Sequence, residues 1–303
     1  MLRYFYIIIP ILFASCIKEV NYDIQPLPQK VVVNGLFCPD SIFRIHVSLT
    51  SSTDAVPNYI SNASVEIFKE NVSIGILGHT EKGWYQTGVK PTAGSNYTLK
   101  VSVPNFEQVV AKSSVPVFPT ILSAIFYITS MVPDNSNAPG IGGGQLPTDA
   151  KIVFKDDPET LNYYEVGVNK FRYETTQETD LSILADSELD FSPRTLFFSD
   201  ELFNGTDKSL VLRKEGYASI TPSGDLFADP QSNLKFKTCS SEYYRFRKSW
   251  TKHVFNQNSD LNLNDPITLI FIGDPVEMYS NVSGGLGVFA GYNQNILTVL
   301  YEE

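Results

Sequence analysis

The chain has 303 residues, of which 43% are apolar and 18% charged, and its formal net charge is −10 at pH 7. This composition can bury a large core and excludes a chain that is mostly disordered. The acidic balance, with a pI near 4.9, argues against nucleic-acid binding, which needs a basic surface to displace counterions from phosphate. The aromatic content of 13% favours β-structure.

The first residues predict an export signal. Residues 4–15 form an uncharged apolar stretch behind Arg3. A helix of this length reaches only about 18 Å, which is too short for a bilayer core of about 30 Å and fits a secretory signal over residues 1–15. Phe13-Ala14-Ser15-Cys16 resembles a bacterial lipobox, in which the cysteine is acylated and becomes the first mature residue.

Acylation of Cys16 would hold the mature chain on a membrane, because several acyl chains on one residue exceed the two signals that stable anchoring needs. Residues 16–28 contain Pro26 and Pro28 and are interpreted as a short, stiffened tether. Position 17 is Ile rather than the Asp that commonly retains lipoproteins in the inner membrane, so we expect the outer membrane, on its periplasmic or its exterior side. The alternative is an ordinary signal peptide with an incidental cysteine.

Apolar and polar residues alternate along the next region, residues 29–115. The pattern is clearest in Phe43–Leu49, Ala63–Ile67 and Tyr97–Val103, and it predicts half-buried strands. Turn residues, mostly Gly, Asn, Asp and Pro, separate these segments. Short strands at regular intervals predict a β-sandwich of immunoglobulin or transthyretin type.

The Pro-rich segment Val115–Pro119 is the predicted boundary to a second β-rich domain, residues 116–303. Pro139–Gly144 is too rich in glycine for regular structure and is expected to be a loop. Ile267–Ile272 is a continuous apolar run that should be buried on both faces. The other strands predicted in this domain are 121–129, 150–155 and 163–173.

One amphipathic helix is predicted in the second domain. Ser240 or Ser241 can cap it and Glu242 suits the first turn. The expected apolar stripe is Tyr243, Phe246, Trp250 and Val254, and the basic residues outside it are Arg245, Arg247, Lys248 and Lys252. These bases are either solvated or form a contact face for an acidic partner or lipid headgroups.

The remaining motifs do not indicate catalysis or a metal. His46, His79 and His253 are most simply surface residues, and the chain has neither a Gly-x-Ser-x-Gly elbow nor a His-Glu-x-x-His helix. The segment 260–265 resembles the start of a calcium loop but lacks its closing glutamate. Gly284–Gly287 has no helix behind it to bind phosphate, so a tight turn that opens a strand is expected. We therefore predict no enzymatic activity, cofactor or metal.

Two cysteines remain beyond Cys16, namely Cys38 and Cys239. They could form a disulfide, but the sequence does not show whether their Cα atoms lie within bridging distance. A pair of buried free thiols is the other interpretation.

Several widely separated segments resemble a single family. They are Cys16 with Lys18-Glu19, KVVVNGLFCPD (30–40), ISNASVEIF (60–68), FKDDPETLNYYEV (154–166), SSEYYRFRKSW (240–250) and PVEMYSNVSGGLGVFAGY (275–292). Together they resemble the outer-membrane lipoproteins catalogued as domain-of-unknown-function family 4249, over nearly the whole mature chain. Residues 280–289 are the most specific part of this resemblance.

The resemblance implies an accessory role in nutrient capture or uptake, because members of this family are commonly encoded beside TonB-dependent outer-membrane transporters. It implies no catalytic residues. We therefore expect an all-β lipoprotein with two sandwich-like domains and one short amphipathic helix in the second. Its expected role is an accessory or ligand-binding subunit of such a transporter. The alternatives are a structural or adhesive surface protein, or a surface hydrolase built on the glycine-rich loops.

Overall fold

The computed structural model describes residues 28–51, 56–131, 144–168, 173–175, 188–189, 195–221, 223–228, 231–257 and 276–301. Four of the features predicted above lie outside these residues. They are the signal with Cys16, most of the glycine-rich loop, the segment 260–265 and the apolar run Ile267–Ile272.

The described residues form nineteen strands and one helix. In chain order they are β1 Val31–Phe37, β2 Arg44–Leu49, β3 Asn58–Tyr59, β4 Ser64–Lys69, β5 Val72–His79, β6 Trp84–Gln86, β7 Ser95–Ser102, β8 Val109–Val115, β9 Thr120–Ile128, β10 Gly144–Lys155, β11 Tyr163–Val168, β12 Tyr173–Thr175, β13 Glu188–Leu189, β14 Thr195–Ser199, β15 Asp207–Ile220, β16 Leu226–Ala228, β17 Gln231–Cys239, α1 Ser241–Gln257, β18 Val282–Ser283 and β19 Leu286–Tyr301.

The first lobe is a β-sandwich, as the alternating pattern predicts. One sheet contains β1, β2, β3, β6 and the start of β19, and the other contains β4, β5, β7, β8 and β18. Ile45 and Val47 of the first sheet and Leu99 and Val101 of the second are at most 1% exposed. The apolar face of each strand therefore lies between the sheets, and its polar face lies outside.

The second lobe is built around the long strand β10, which pairs with β9 on one side and with β15 on the other. Its core is rich in aromatic rings, among which Phe154 contacts Tyr164 and Phe236 with ring centroids 5.1 and 5.2 Å apart. Of the strand predicted over 163–173, residues 163–168 form β11 and Tyr173 begins β12, which pairs with β15; residues 169–172 lie outside the described residues. The chain is all-β with a single described helix.

The last strand, β19, belongs to both lobes. Residues 286–291 pair in parallel with β1, and residues 292–300 pair antiparallel with β17. Val282 and Phe289 are also part of the core of the first sandwich. Residues 29–115 therefore supply most, but not all, of the first lobe, and the predicted boundary at Val115–Pro119 lies between β8 and β9.

The segment most specific for the family resemblance fixes β19 against the first sandwich. Asn281 donates from Nδ2 to the Lys112 carbonyl at 2.9 Å and accepts from the Phe289 backbone N–H at 2.9 Å. Gly284 and Gly285 form the turn between β18 and β19, as expected. At Gly287, with φ of +114°, a Cβ atom would lie 2.0 Å from the Val33 carbonyl oxygen, so only glycine permits this strand pairing.

Helix α1 begins where the sequence indicates. Ser240 is the N-cap, since its Oγ accepts from the Tyr243 backbone N–H at 3.1 Å. The predicted stripe is correct at Tyr243, which is buried, but wrong at Trp250, which is 37% exposed. Tyr244 is buried instead and stacks on Tyr163 with ring centroids 4.7 Å apart. The first turn of α1 therefore packs on the sheet. Within the described residues, no helix is long and apolar enough to span a bilayer.

Candidate functional site

A pocket of about 360 Å³ lies where the first sandwich meets the N-terminus of α1. Most of its lining atoms are polar, and they come from the β4–β5 turn, from β7 and β8, and from the start of the helix. The lining residues are Glu70, Asn71, Asn96, Tyr97, Thr98, Lys112, Ser113, Ser114, Ser241 and Glu242. We call this cavity the junction pocket.

One wall of the junction pocket is the tight turn Glu70–Asn71, in which both residues have positive φ, 46° and 69°. A two-residue hairpin needs this conformation, but a glutamate adopts it at a cost. The Glu70 carboxylate offsets part of that cost by accepting from the Asn96 backbone N–H at 2.6 Å and from the Asn96 side chain at 3.2 Å. Sequence patterning missed this turn because it lacks the usual Asn-Gly.

The floor of the pocket is formed by the neighbouring strands β7 and β8. Thr98 pairs with Lys112 and Asn96 with Ser114, so these four side chains project from the same face. Lys112 is exposed and Ser114 half-buried. The floor therefore presents an ammonium group, two hydroxyls and an amide.

Buried hydroxyls connect the floor to the helix. Ser113 Oγ lies 2.9 Å from Glu242 Oε2 and 3.0 Å from Ser240 Oγ. It also accepts from the Gly291 backbone N–H at 3.2 Å. Ser113 thus joins β8, α1 and β19, and its hydroxyl holds the Glu242 carboxylate in the lining of the pocket. The pocket can hydrogen-bond a small ligand rich in hydroxyl or amino groups, because its lining includes two carboxylates, a lysine and several hydroxyls.

The basic residues of α1 do not form a single face. Arg245 is exposed, and the Lys248 ammonium lies 4.6 Å from the centroid of the Tyr244 ring. Lys252 is exposed. Arg247 instead turns inward: its side chain is 18% exposed and lies 3.6 Å from the Glu165 carboxylate. It therefore contributes to packing rather than to an outward contact face.

Glu165 is the centre of a buried cluster under the helix. It is 6% exposed, and it accepts from Lys237 Nζ at 3.0 Å and from the Tyr243 hydroxyl at 2.6 Å in addition to its contact with Arg247. Burial raises the pKa of Tyr243 well above its ordinary value, and the negative charge of Glu165 raises it further. Tyr243 therefore keeps its proton and remains a donor to Glu165, which holds α1 on the sheet.

A buried carboxyl pair, Asp156 and Asp200, lies in the second lobe and is less than 2% exposed. Asp156 accepts from the Tyr164 hydroxyl and from the Gly205 backbone N–H at 2.7 Å. Asp200 accepts from Asn162 through its backbone N–H at 2.8 Å and its side chain at 3.1 Å. Burial, reinforced by the charge of Asp156, raises the pKa of Asp200 to about 6 although the Asn162 bonds oppose the shift.

Of the two interpretations of the cysteines, the structure has the pair of buried free thiols. Cys38 and Cys239 are both free and buried. Cys239 of β17 pairs with Tyr292 of β19. Cys38 directly follows β1, which pairs with the opposite edge of β19, so the two cysteines lie on either side of β19. Strands that flank a third are about 9.5 Å apart at 4.7–4.9 Å per pairing, which is beyond the reach of a disulfide.

The three histidines contact different residues and do not form a common centre. His46 and His79 lie in the first sandwich and contact Trp84 and Tyr85. His253 Nδ1 lies 3.3 Å from the Val276 carbonyl oxygen. In the part of the chain that the structure describes, no group of three or more His, Cys, Asp or Glu side chains could hold a metal ion.

Comparison with known proteins gives one match to a family model and only weak matches to solved structures, of which two are described. A variant of the major pilin subunit BcpA of Bacillus cereus has 10% identity and a TM-score of 0.23, over 90% of this chain and 70% of that chain. The BSP domain of a biofilm-associated protein has 9% identity and a TM-score of 0.17, over 88% of this chain and 59% of that chain.

No curated protein matches the chain. The strong match is to a family model, described as a domain of unknown function (DUF4249), which aligns with residues 17–296. This range includes most of both lobes, the helix and residues 286–296 of the strand that joins them. The chain therefore belongs to the DUF4249 family.

Proposed function

We propose that this chain is a lipoprotein of the outer membrane, anchored through acyl chains on Cys16. In this role it is a non-enzymatic, ligand-binding or accessory subunit of a TonB-dependent transporter in nutrient capture or uptake. The observation that carries the ligand-binding part is the junction pocket. Its polar lining comes from segments far apart in the sequence and is fixed by the hydrogen bonds of Ser113.

The pocket's chemistry supports binding rather than catalysis. The carboxylates of Glu70 and Glu242 already accept hydrogen bonds from protein donors, which suits them to hold hydroxyl or amino groups in place. No histidine or cysteine lines the cavity, so it offers neither a general base poised near neutral pH nor a thiolate nucleophile.

Copurification from outer membranes tests the transporter association. The tagged chain, expressed from its own locus, is extracted in mild detergent, and the proteins bound to it are identified by mass spectrometry. We expect a TonB-dependent transporter in near-equal amount. Cys16→Ser is the matched control, because without acyl chains the protein should leave the membrane fraction and lose the transporter. Recovery of the anchored chain as a monomer would contradict the proposal.

A separate measurement tests the pocket. Small molecules released by denaturing the purified chain are compared between wild type and a Thr98→Ala/Lys112→Ala variant, whose changes lie on the pocket floor. A polar compound present in the wild type and depleted in the variant supports the ligand-binding role. Equal recovery from both proteins would mean that the pocket is not the binding site.

One observation favours the adhesive alternative. Among the described residues, strand β5 pairs with β4 from Val72 to Leu77 and with β6 at Gly78 and His79. Its residues Val72 and Ile76 are each 68% exposed. A partly free strand edge of this kind can accept a strand from another chain. A deletion strain that imports nutrients normally but loses adhesion would favour this function.

A further inference from the structure

The outer face of the first sandwich carries a second set of side chains that could bind a ligand, separate from the junction pocket. His46 pairs with Asn34 on one side and with Trp84 on the other. Arg44 pairs with Gln86 in the neighbouring row. Because the alternate residues of β2 face the core, these partners share the outward face. With Tyr59, which pairs beside them, they form what we call the Trp84 face.

The side chains of the Trp84 face hold one another in place. The Arg44 guanidinium lies 4.8 Å from the centroid of the Trp84 ring, and the His46 ring meets Trp84 edge-on at 4.9 Å and Tyr59 at 5.5 Å. His46 also contacts the Lys82 carbonyl oxygen through Nε2 at 3.1 Å. Tyr59 is 41% exposed, so an aromatic side chain remains accessible near the Arg44 guanidinium.

The charge of this face is opposite to that of the whole chain, which has a net charge of −10. Arg44 and Lys82 are both exposed. Neither belongs to any of the ion pairs between described residues, which involve Arg213, Lys237 and Arg247. A cation stacked on an indole keeps the edge of its guanidinium free, and that edge has the geometry to bind a carboxylate with two hydrogen bonds.

We propose that the Trp84 face binds an acidic polysaccharide, one whose sugar rings carry carboxylate groups. Arg44 pairs with the carboxylate, the exposed ring of Tyr59 packs against the C–H face of a sugar, and the amides of Asn34 and Gln86 bond to adjacent hydroxyls, each offering a donor and an acceptor. Asn34 and Gln86 are exposed, so both amides are available. The proposal does not depend on the junction pocket or on any transporter.

The shape of the face favours a saccharide over other anions. Peptides are usually bound by a free strand edge or in an apolar groove, whereas β2 is paired on both sides. A nucleic acid is bound by many lysine and arginine side chains along successive phosphates, whereas Arg44 is the one cation among the residues that define this face. A flat sheet face with aromatic, amide and guanidinium groups matches the alternating apolar and hydroxyl surfaces of a sugar chain.

Affinity electrophoresis of the full chain tests the proposal, with gels that contain polygalacturonate, neutral dextran or polyglutamate. We expect retardation by polygalacturonate alone, and weaker retardation as salt is raised. Arg44→Gln should reduce the affinity about tenfold or more, because it removes the charge-assisted hydrogen bonds to the carboxylate. Arg44→Lys, which keeps the charge but not the planar group, should lose a large part of that affinity.

Matched variants separate binding from folding. Tyr59→Ala should weaken binding, and Trp84→Phe should weaken it less than Trp84→Ala, while Arg245→Gln on α1 should have no effect. The thermal unfolding curve of each variant identifies any that fail to fold. No retardation by polygalacturonate would overturn the proposal. So would equal retardation by dextran or polyglutamate, or an Arg44→Gln variant that binds like the wild type.

Discussion

The carboxyl pair of Asp156 and Asp200 predicts that the second lobe loses stability as the pH rises. The pKa of Asp200 is about 6 in the fold, against an ordinary value of 3.8, so the folded chain binds a proton more tightly than the unfolded chain. A raised pKa stabilises the fold fully below the unfolded value, and this stabilisation is lost as the pH rises through the folded value. The affected range therefore runs from about pH 4 to about pH 6.

The expected loss of stability follows from the shift in the pKa of Asp200. One pKa unit corresponds to 1.36 kcal/mol, so a shift of about two units gives at most about 3 kcal/mol. The true value is expected to be lower, because relaxation of the surroundings and water penetration reduce the cost of a buried charge. Even half of this limit is a substantial share of the 5–15 kcal/mol by which native proteins are typically stable.

Hydrogen exchange gives the most direct assay, because it reports on opening of one region rather than on the whole two-lobed chain. The amides to follow are those of Asn162 and Gly205, which donate to the two carboxyl groups. After correction for the intrinsic pH dependence of exchange, their protection should fall between pH 4 and pH 6. In Asp200→Asn, whose amide replaces the protonated carboxyl, this fall should disappear.

The control is Glu107→Gln, since Glu107 is an exposed carboxyl in the first lobe. It should leave the pH dependence of these amides unchanged. Protection that rises with pH over this range would refute the reasoning, as would the same fall in wild type and Asp200→Asn. Either result would mean that the raised pKa of Asp200 does not stabilise the fold.

Three further predictions concern packing and the cysteines. Gly291→Ala should lower the free energy of unfolding by about 2 kcal/mol or more, because the new Cβ would lie 2.1 Å from a carbonyl oxygen of β8. Gly88→Ala, which has open space around it, should leave the free energy of unfolding unchanged, and urea titrations compare the two variants. Glu165→Gln should cost about 3 kcal/mol by the same measurement, because it leaves buried cations without their counter-charge. Cys38 and Cys239, which are buried and free, should react with a thiol reagent only after denaturation, and the intact mass should show no disulfide.

The strands of the first sandwich could be predicted from sequence because each one buries a single face. A period of two in Phe43–Leu49 and Tyr97–Val103 follows directly from that geometry. The N-cap at Ser240 was equally accessible, since capping depends only on local residues. Trp250 was misassigned because periodicity shows that a helix has an apolar stripe but not how far along its length the stripe is covered.

The sites depend on contacts that sequence patterns do not contain. Asp156 and Asp200 meet through loops in two different parts of the second lobe, and no local signal connects them. The junction pocket likewise needs Ser113, Glu70 and Glu242 to meet, and the turn at Glu70 has no glycine to mark it. The Trp84 face is the intermediate case: the outward positions of β2 could be predicted, but their partners across the sheet depend on register.

The shared strand β19 also relates the proposed anchor to the pocket. Residues 16–28 can extend about 45 Å at most, so an acylated Cys16 would keep the start of β1 near the membrane. Strand β19 is parallel to β1 and pairs with it from Val32 onward, so it runs away from that end, and its 16 residues span about 50 Å. The second lobe therefore extends from β19 away from the start of β1. Ser113, which lines the junction pocket, accepts from the Gly291 backbone N–H of β19, so the pocket is tied to the strand that the two lobes share.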